Sequence, residues 1–360
     1  MLELILNMKG KHYVMAGLDF IFDRHGTPWF LEANSASTVH KEYEKIYRDC
    51  TTVKALAKYI NRLPGNNVCM FVSRNHRYKP WKENTAWMPQ KIKKYIRKDI
   101  HICYMQDNLR IARNYFLDHN FIKIYMSNFN KGGENSYVLN SRRRKVKPDI
   151  ILRKHFQLNP EFEQEGVNVI NTMAVRDLVW LKNKCYDAVK HIKGINIPKY
   201  FLVDDNEELK KILKKNRRLF SKGYVLKPTG DSLGRGVKVT NSARMPYNFK
   251  VKPGYMVQQK IESKLIEGKY YWDVRVFVVN DKFIGGVKRV SENKVTNIAQ
   301  GGHGRKLEKR YQLKIKRISE KIVAAIDKEA ARLAEEGYKY ILTPDKPNFR
   351  EALRHPCGEE

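Results

Sequence analysis

The run Tyr224-Val225-Leu226-Lys227-Pro228-Thr229-Gly230-Asp231-Ser232-Leu233-Gly234-Arg235-Gly236 ends a strand-like segment on a lysine and follows it with a glycine-rich loop. Glycines let backbone N–H groups approach phosphate oxygens closely, and a lysine adds a fixed positive charge. The return to a second strand distinguishes the run from a phosphate loop that leads into a helix. Taken alone it also suits an ordinary glycine-rich turn. Asp273-Val274-Arg275 places Asp273 and Arg275 on one strand face, and a following strand brings Lys288-Arg289 beside them. Arginines on adjacent strands suit planar, bidentate recognition of phosphate or carboxylate, or cross-strand pairing with nearby acids. Asn297-Ile298-Ala299-Gln300-Gly301-Gly302 forms a polar, glycine-rich end to this strand region.

A fourth group stands near the start. Leu18-Asp19-Phe20-Ile21-Phe22 and Trp29-Phe30-Leu31-Glu32 alternate with period two around turn-forming residues 23–28. Pairing Phe22 with Trp29 sets Asp19 opposite Glu32, and Asn34 shares the face of Glu32. Like charges directly opposite destabilise a sheet, so a cation between them is implied. Hard oxygen donors of this kind suit Mg²⁺.

These groups need a scaffold. A helix is expected over 40–63, then a strand at Val68–Val72 after Pro64-Gly65-Asn66-Asn67. Strands at 121–125, 149–152 and 167–170 alternate with helices, one at 108–118, which argues for a parallel α/β sheet. A helix at 176–192, a strand before Asp204 and a basic helix bearing Leu209, Ile212 and Leu213 come next. Short strands are expected at 224–228, 237–239, 255–259, 273–279 and 283–290, then a helix at 315–336 with Ile315, Ile318, Ile322 and Ile326 on one face. The last residues read as a second hairpin.

Seventy Lys and Arg against 38 Asp and Glu give a net charge of +32, which attracts polyanions or simply covers solvated helix faces. Hydrophobic residues are 42% of the chain, a globular proportion that excludes a disordered class. The five cysteines share no close spacing, so neither a zinc site nor a disulfide framework is indicated and a cytoplasmic setting fits. No apolar run reaches the roughly 20 residues of a membrane span. Basic runs at 142–145 and 210–218 lack an accompanying nucleic-acid motif, so nucleic acid is not the expected partner.

In their order along the chain, these motifs resemble the ATP-grasp superfamily, specifically its carboxylate–amine ligases related to RimK and glutathione synthetase. Trp29-Phe30-Leu31-Glu32-Ala33-Asn34-Ser35 and Lys227-Pro228 with 232–236 are similar to the spore-coat-associated YheC/YheD type. The resemblance implies a mixed α/β (α+β) chain: an ATP-grasp fold preceded by a Rossmann-like α/β domain, with the nucleotide between two small, largely antiparallel sheets. It further implies that Lys227 and Lys184 (or Lys182) hold phosphates under a loop carrying Gly230, Ser232, Gly234 and Gly236. Gln259, Lys260 and Ile261 would read adenine, with Glu262 near the ribose. Asp273 and Arg275 match an Asp-x-Arg pattern, Arg289 a second arginine facing the transferred phosphoryl group, and Asn297 a polar active-site position. The activity implied is ATP- and Mg²⁺- or Mn²⁺-dependent joining of a carboxylate to an amine, with the charge hinting at an acidic peptide or polymer. The alternative is a nucleotide-binding structural or regulatory module. Burying Lys227, Arg275 and Arg289 without anions is costly, so an empty site is expected to be unstable or flexible.

Relatives place the Asp…Glu-x-Asn hairpin after the Gln-Gly-Gly motif and a helix, whereas here it stands at 19–34. In the expected slot Lys339 replaces the aspartate and Leu353 the asparagine, while Glu351 survives. Two organisations follow. In the preferred one, residues 1–63 are the remnant of a first unit, since 337–353 already fills the slot; in the other, 1–63 is a permuted piece that docks to supply Asp19, Glu32 and Asn34. The expected divisions are 1–63, an α/β domain at 66–172, a lid at 173–250 and a core at 251–360 with a degenerate final hairpin.

Overall fold

The computed structural model describes residues 11–35, 40–72, 91–104, 123–126, 138–139, 145–153, 163, 166–230, 234, 236–245, 250–296, 298 and 301–336. The expected helix at 108–118, the final hairpin at 337–353, Ser232, Asn297 and Glu351 lie outside these residues.

The chain opens with strands β1 (Met15–Phe22) and β2 (Pro28–Asn34), then helices α1 (His40–Tyr47) and α2 (Thr51–Ile60). Strands β3 (Asn67–Val72), β4 (Asp99–Tyr104), β5 (Lys123–Met126), β6 (Val138–Leu139), β7 (Lys145–Val146), β8 (Ile150–Arg153) and β9 (Asn168–Ile170) follow. Next are α3 (Met173–Trp180), α4 (Lys182–Val189), β10 (Tyr200–Val203), α5 (Asn206–Lys215), β11 (Tyr224–Pro228), β12 (Lys238–Val239) and β13 (Tyr255–Gln259). The described chain ends with β14 (Tyr271–Val279), β15 (Lys282–Ser291), β16 (His303–Lys306) and α6 (Lys309–Glu335).

Three sheets result. The order β7-β6-β5-β4-β3-β8-β9 is parallel from β5 to β9, the α/β unit expected from alternating strands and helices. The order β10-β13-β11-β12 is a small antiparallel sheet, and β16-β15-β14-β1-β2 a second, five-stranded one. One face of the five-stranded sheet is apolar: Leu18, Phe20, Phe22, Val274, Val276 and Val278 pack on Ile315, Ile322, Val323 and Ile326 of α6 and on α3 and α4. Burial of these side chains stabilises the sheet by about 1.5–3 kcal/mol each.

The N-terminal hairpin is therefore part of the sheet that contains Arg275. β1 pairs with β14 so that Asp19 faces Arg275 directly. The hairpin thus lies against β14, where the second organisation, with 1–63 docked, would put it. Helix α2 then crosses to the parallel sheet, where Val53, Leu56 and Ile60 meet Val68, Met70, Ile150 and Leu152.

Other expectations shift for local reasons. The helix expected at 40–63 is broken at Arg48, whose φ is +55°, and Asp49 accepts the Thr51 amide (2.9 Å) to start α2. The helix expected at 176–192 breaks at Leu181, where the backbone turns extended and the Lys182 amide donates to the Thr229 carbonyl (3.1 Å). Strand β13 pairs with β10 and β11, so the lid sheet runs to Gln259 rather than ending at 250, and α3 and α4 pack with the core instead of the lid. The hairpin register is Phe22 opposite Pro28, one residue from the expected pairing. An irregularity between Asp19 and Phe20 restores Asp19 opposite Glu32.

Asn171, fully buried after β9, holds both ends of the hairpin. Its Oδ1 accepts from the amides of Val14 (2.8 Å) and Met15 (2.9 Å), and its Nδ2 donates to the carbonyls of Met15 and Ser35 (2.7 Å each). Asn171→Ala removes all four bonds and strands buried backbone groups. The expected loss is about 3 kcal/mol of unfolding free energy, measured by urea denaturation; a loss under about 1 kcal/mol would refute the role of this amide.

Candidate functional site

A cavity of about 390 Å³ opens between the two antiparallel sheets. Its walls bring together Asp19 and Glu32 from the hairpin, Lys182 from α4, Lys227 and Gly234 from the glycine loop, Gln259 to Glu262 after β13, and Asp273 and Arg289 from β14 and β15. Sequence separations of more than two hundred residues thus collapse onto one site.

Sheet register explains the floor. Glu32, Asp19 and Arg275 lie in one row across β2, β1 and β14, and Asp273 faces Arg289 in the next. The Arg289 Nε and Nη2 donate to the two Asp273 oxygens (2.6 and 2.5 Å), while Nη2 also lies 2.9 Å from Asp19. Arg275 Nε donates to Asp19 Oδ1 and its Nη2 to Oδ2 (2.7 Å). Burial alone would raise the Asp19 carboxyl; the guanidiniums of Arg275 and Arg289 outweigh it and hold the group at about 2. Burial works against the Arg289 charge too, but Asp19 and Asp273 win and raise its pKa. Asp19 and Asp273 thus supply anions beside the two arginines, whose charges are not buried alone.

Two placements differ from expectation. Arg275 is not among the residues lining the cavity; it sits behind Asp19, because the hairpin inserts its carboxylate there. Of the two candidate lysines, Lys182 lines the cavity and Lys184 does not. Lys182 Nζ lies 3.5 Å from the Thr229 carbonyl and 3.9 Å from Glu32 Oε2. The break at Leu181, with no glycine or proline to announce it, is what turns Lys182 inward.

The Lys227 charge is tuned by its surroundings. Burial, then the neighbouring Lys182 charge, pulls the Lys227 ammonium down to about 7, against the pull of Glu32 and Asp19. Its Nζ lies 3.4 Å from Tyr186 Oη and over that ring at 5.7 Å. Tyr186 itself donates to the Leu31 carbonyl (2.5 Å), and burial pushes its phenol well above the ordinary range. Sequence reasoning missed Tyr186 and Gln258; the signal for Tyr186 was its place one helical turn after Lys182. In the loop, Gly230 is held by close approach, since a Cβ there would meet the Trp180 indole at 2.8 Å. Gly236 has φ +69° against Pro228 and Tyr255.

At the outer end, Lys260 and Lys294 both donate to Asn241 Oδ1 (3.1 and 2.8 Å), joining hinge, core and lid. Glu262 lies 3.4 Å from both Arg24 and Lys222.

The expected metal donors are Asp19, Glu32, Asn34 and Glu351. Among the described residues no group of three or more His, Cys, Asp or Glu could by itself hold a metal ion. Asp19 gives its oxygens to arginines and is not available as a ligand in this arrangement. Glu32 Oε1 is 3.8 Å from Arg275 and 3.5 Å from Asn34 Nδ2. Glu32 offers hard oxygens beside Lys182 in the cavity and fits a divalent ion that keeps water and phosphate oxygens for the rest of its shell, while Asn34 turns its amide nitrogen toward Glu32 and does not line the cavity.

Residues 181–332 match the model of the RimK-like ATP-grasp domain. The chain is 28% identical over 173 residues to the coenzyme gamma-F420-2:alpha-L-glutamate ligase of Methanocaldococcus jannaschii, covering 46% of this chain and 58% of that protein. The corresponding ligase of Methanococcus maripaludis is 25% identical over 153 residues, covering 41% and 51%. The chain thus spans little more than half the length of these relatives. A solved structure provisionally described as a gamma-glutamylcysteine synthetase from Methylobacillus flagellatus superposes with a TM-score of 0.57 at 9% identity, over 93% of this chain and 92% of that one. The fold is the ATP-grasp fold. No described helix is long and apolar enough to cross a membrane.

A phosphate bound beside Lys227 would raise its pKa, so nucleotide binding at this site is expected to take up protons above pH 7. Affinity should fall as pH rises from 7 to 8.5, by at most about tenfold per pH unit. Calorimetry in buffers of different ionisation heat measures the uptake, which Lys227→Met should abolish.

Proposed function

We propose that this chain is an ATP-dependent carboxylate–amine ligase. The carrying observation is the cavity in which Lys182, Lys227 and Arg289 converge with Glu32 between the two sheets. In this reading Lys182 and Lys227 hold nucleotide phosphates beneath the glycine loop. Gln259 to Ile261 contact the base, and Glu262 takes the ribose hydroxyls. Arg289 faces the transferred phosphoryl group, while Arg275 acts through Asp19 by fixing its position. Asn297 is assigned the polar position at the reacting end.

The chemistry asks mainly for positioning and charge. A substrate carboxylate oxygen bonds to the terminal phosphorus of ATP as the bond to ADP breaks; the resulting acyl phosphate is attacked by an amine, giving an amide and phosphate. Arg289 and the lysines stabilise the spreading negative charge. Glu32 would hold Mg²⁺ or Mn²⁺, which neutralises phosphate charge and orients it. The binding-only alternative rests on a site that lacks metal ligands; the position of Glu32 in the cavity supports the ligase reading over it.

Finer assignments belong to the same proposal. The carboxylate–amine pair includes an acidic peptide or polymer, in keeping with the charge of +32. The chain works in the cytoplasm, and the YheC/YheD likeness rests on residues 29–35 and 227–236. The divisions are an α/β unit at 66–172, a lid centred on 200–259, and a core from 260 that incorporates 15–34.

ATP at about 100 times its Kd should contribute about 2.7 kcal/mol to stability, a shift of several degrees in Tm. Lys227→Ala should abolish the shift. Glu32→Gln should keep the shift seen without metal and lose the increment added by Mg²⁺. No ADP release from the full chain with Mg²⁺ and a mixture of carboxylates and amines would overturn the ligase reading.

A further inference from the structure

Helices α5 and α6 are both basic, but only α5 follows the electrostatics of a helix. There Glu207 and Glu208 occupy the first turn, Lys214 and Lys215 the last, and Asp205 caps the Glu208 amide at 2.8 Å. The backbone dipole accounts for that arrangement. Helix α6 is reversed. Its first turn has no acid, and between residues 309 and 321 six cations face one acid, Glu320. The Glu320 carboxylate is occupied in accepting the Phe283 amide (3.0 Å).

Arg310, Lys314, Arg317, Lys321 and Lys328 are exposed and share one helix face, a file about 27 Å long at about 1.5 Å per residue. Like charges four residues apart repel, as do cations at a helix N-terminus. The ion pairs around this helix join Lys288 to Glu308 and Arg332 to Glu329 and Glu336, and include no member of the file among the described residues. Leu313, 65% exposed, lies at its edge. Lys314 donates to the Gly26 carbonyl (2.7 Å), so the file passes the hairpin turn whose Arg24 lines the cavity.

We propose that this file is a docking track for an extended acidic polypeptide; the identity of that polypeptide as the acceptor rests on the ligase reading, its docking does not. Side chains on one face of an extended strand repeat every 6.6–6.8 Å or so, close to the mean step of the file, about 27 Å over four steps of unequal length. Leu313 offers an apolar contact beside the charges. Base stacking would need exposed aromatics, whereas Tyr311, the aromatic at this end of the helix, is half-buried with Arg310 over its ring at 4.8 Å.

The test uses the full chain, without nucleotide, and fluorescently labelled oligo-L-glutamate read by anisotropy. Arg317→Glu with Lys321→Glu should weaken binding at least about tenfold, and the same charge change at Lys211 and Lys215 on α5 less than about twofold. Equal losses from both pairs would overturn the proposal in favour of diffuse attraction by net charge. Tighter binding of a single-stranded oligonucleotide to the α6 face would overturn it in favour of nucleic acid. Should the glutamate variant lose its nucleotide-induced thermal shift, Arg317→Ala with Lys321→Ala decides, with a loss of at least about threefold expected. Because ATP is absent, failure of ligase turnover leaves this result standing.

Discussion

One carboxylate, Asp19, is shared by two buried guanidiniums, and the arrangement of the site follows from it. Without that charge, Arg275 and Arg289 would be two like charges at 9% and 6% side-chain exposure on neighbouring strands. With it, and with Asp273, their hydrogen-bonding nitrogens have fixed acceptors and Arg289 is aimed at the cavity. Buried ion pairs need not stabilise a fold relative to apolar packing, but removing one partner is severe because the other charge stays behind. The polar row therefore fixes orientation more than it adds stability. The apolar opposite face, pressed on α6, keeps the row in place.

The hairpin that delivers Asp19 is tied to all the other parts. Asn171 anchors it to the parallel sheet, Tyr186 reaches the carbonyl of Leu31, and β14 supplies the ladder. The lid approaches from the other side through Lys227 and the Lys260–Asn241–Lys294 junction. Two sheets that share no strand are thus brought to a common cavity by side chains and by backbone bonds outside the ladders, such as that from the Lys182 amide to the Thr229 carbonyl, with Met256 and Tyr200 of the small sheet packed into the same apolar core.

Much of this was written in the sequence because period-two alternation and turn residues are local signals. Strands β11 and β13 fall where the pattern puts them, and Lys227, Arg289 and Glu262 reach the cavity as the motifs suggest. What was hidden depended on distant partners. Nothing near residue 181 announces a helix break; its cause is the carbonyl of Thr229. The lid extends through β13 because that strand's ladder partners are β10 and β11, which alternation cannot specify. The hairpin's destination was not legible because the letters of 337–353 offered a competing occupant, and only packing against β14 assigns the place.

The hydrogen bonds from Arg275 to Asp19 span 256 residues of chain. During synthesis the apolar strand β1 must wait, with an unpaired edge, until β14 has emerged. Loop closure over such a distance is slow, and an open apolar edge invites pairing with the wrong neighbour. A nascent chain of this topology is thereby a natural client for chaperones, and its yield should be governed by how long that edge stays uncovered.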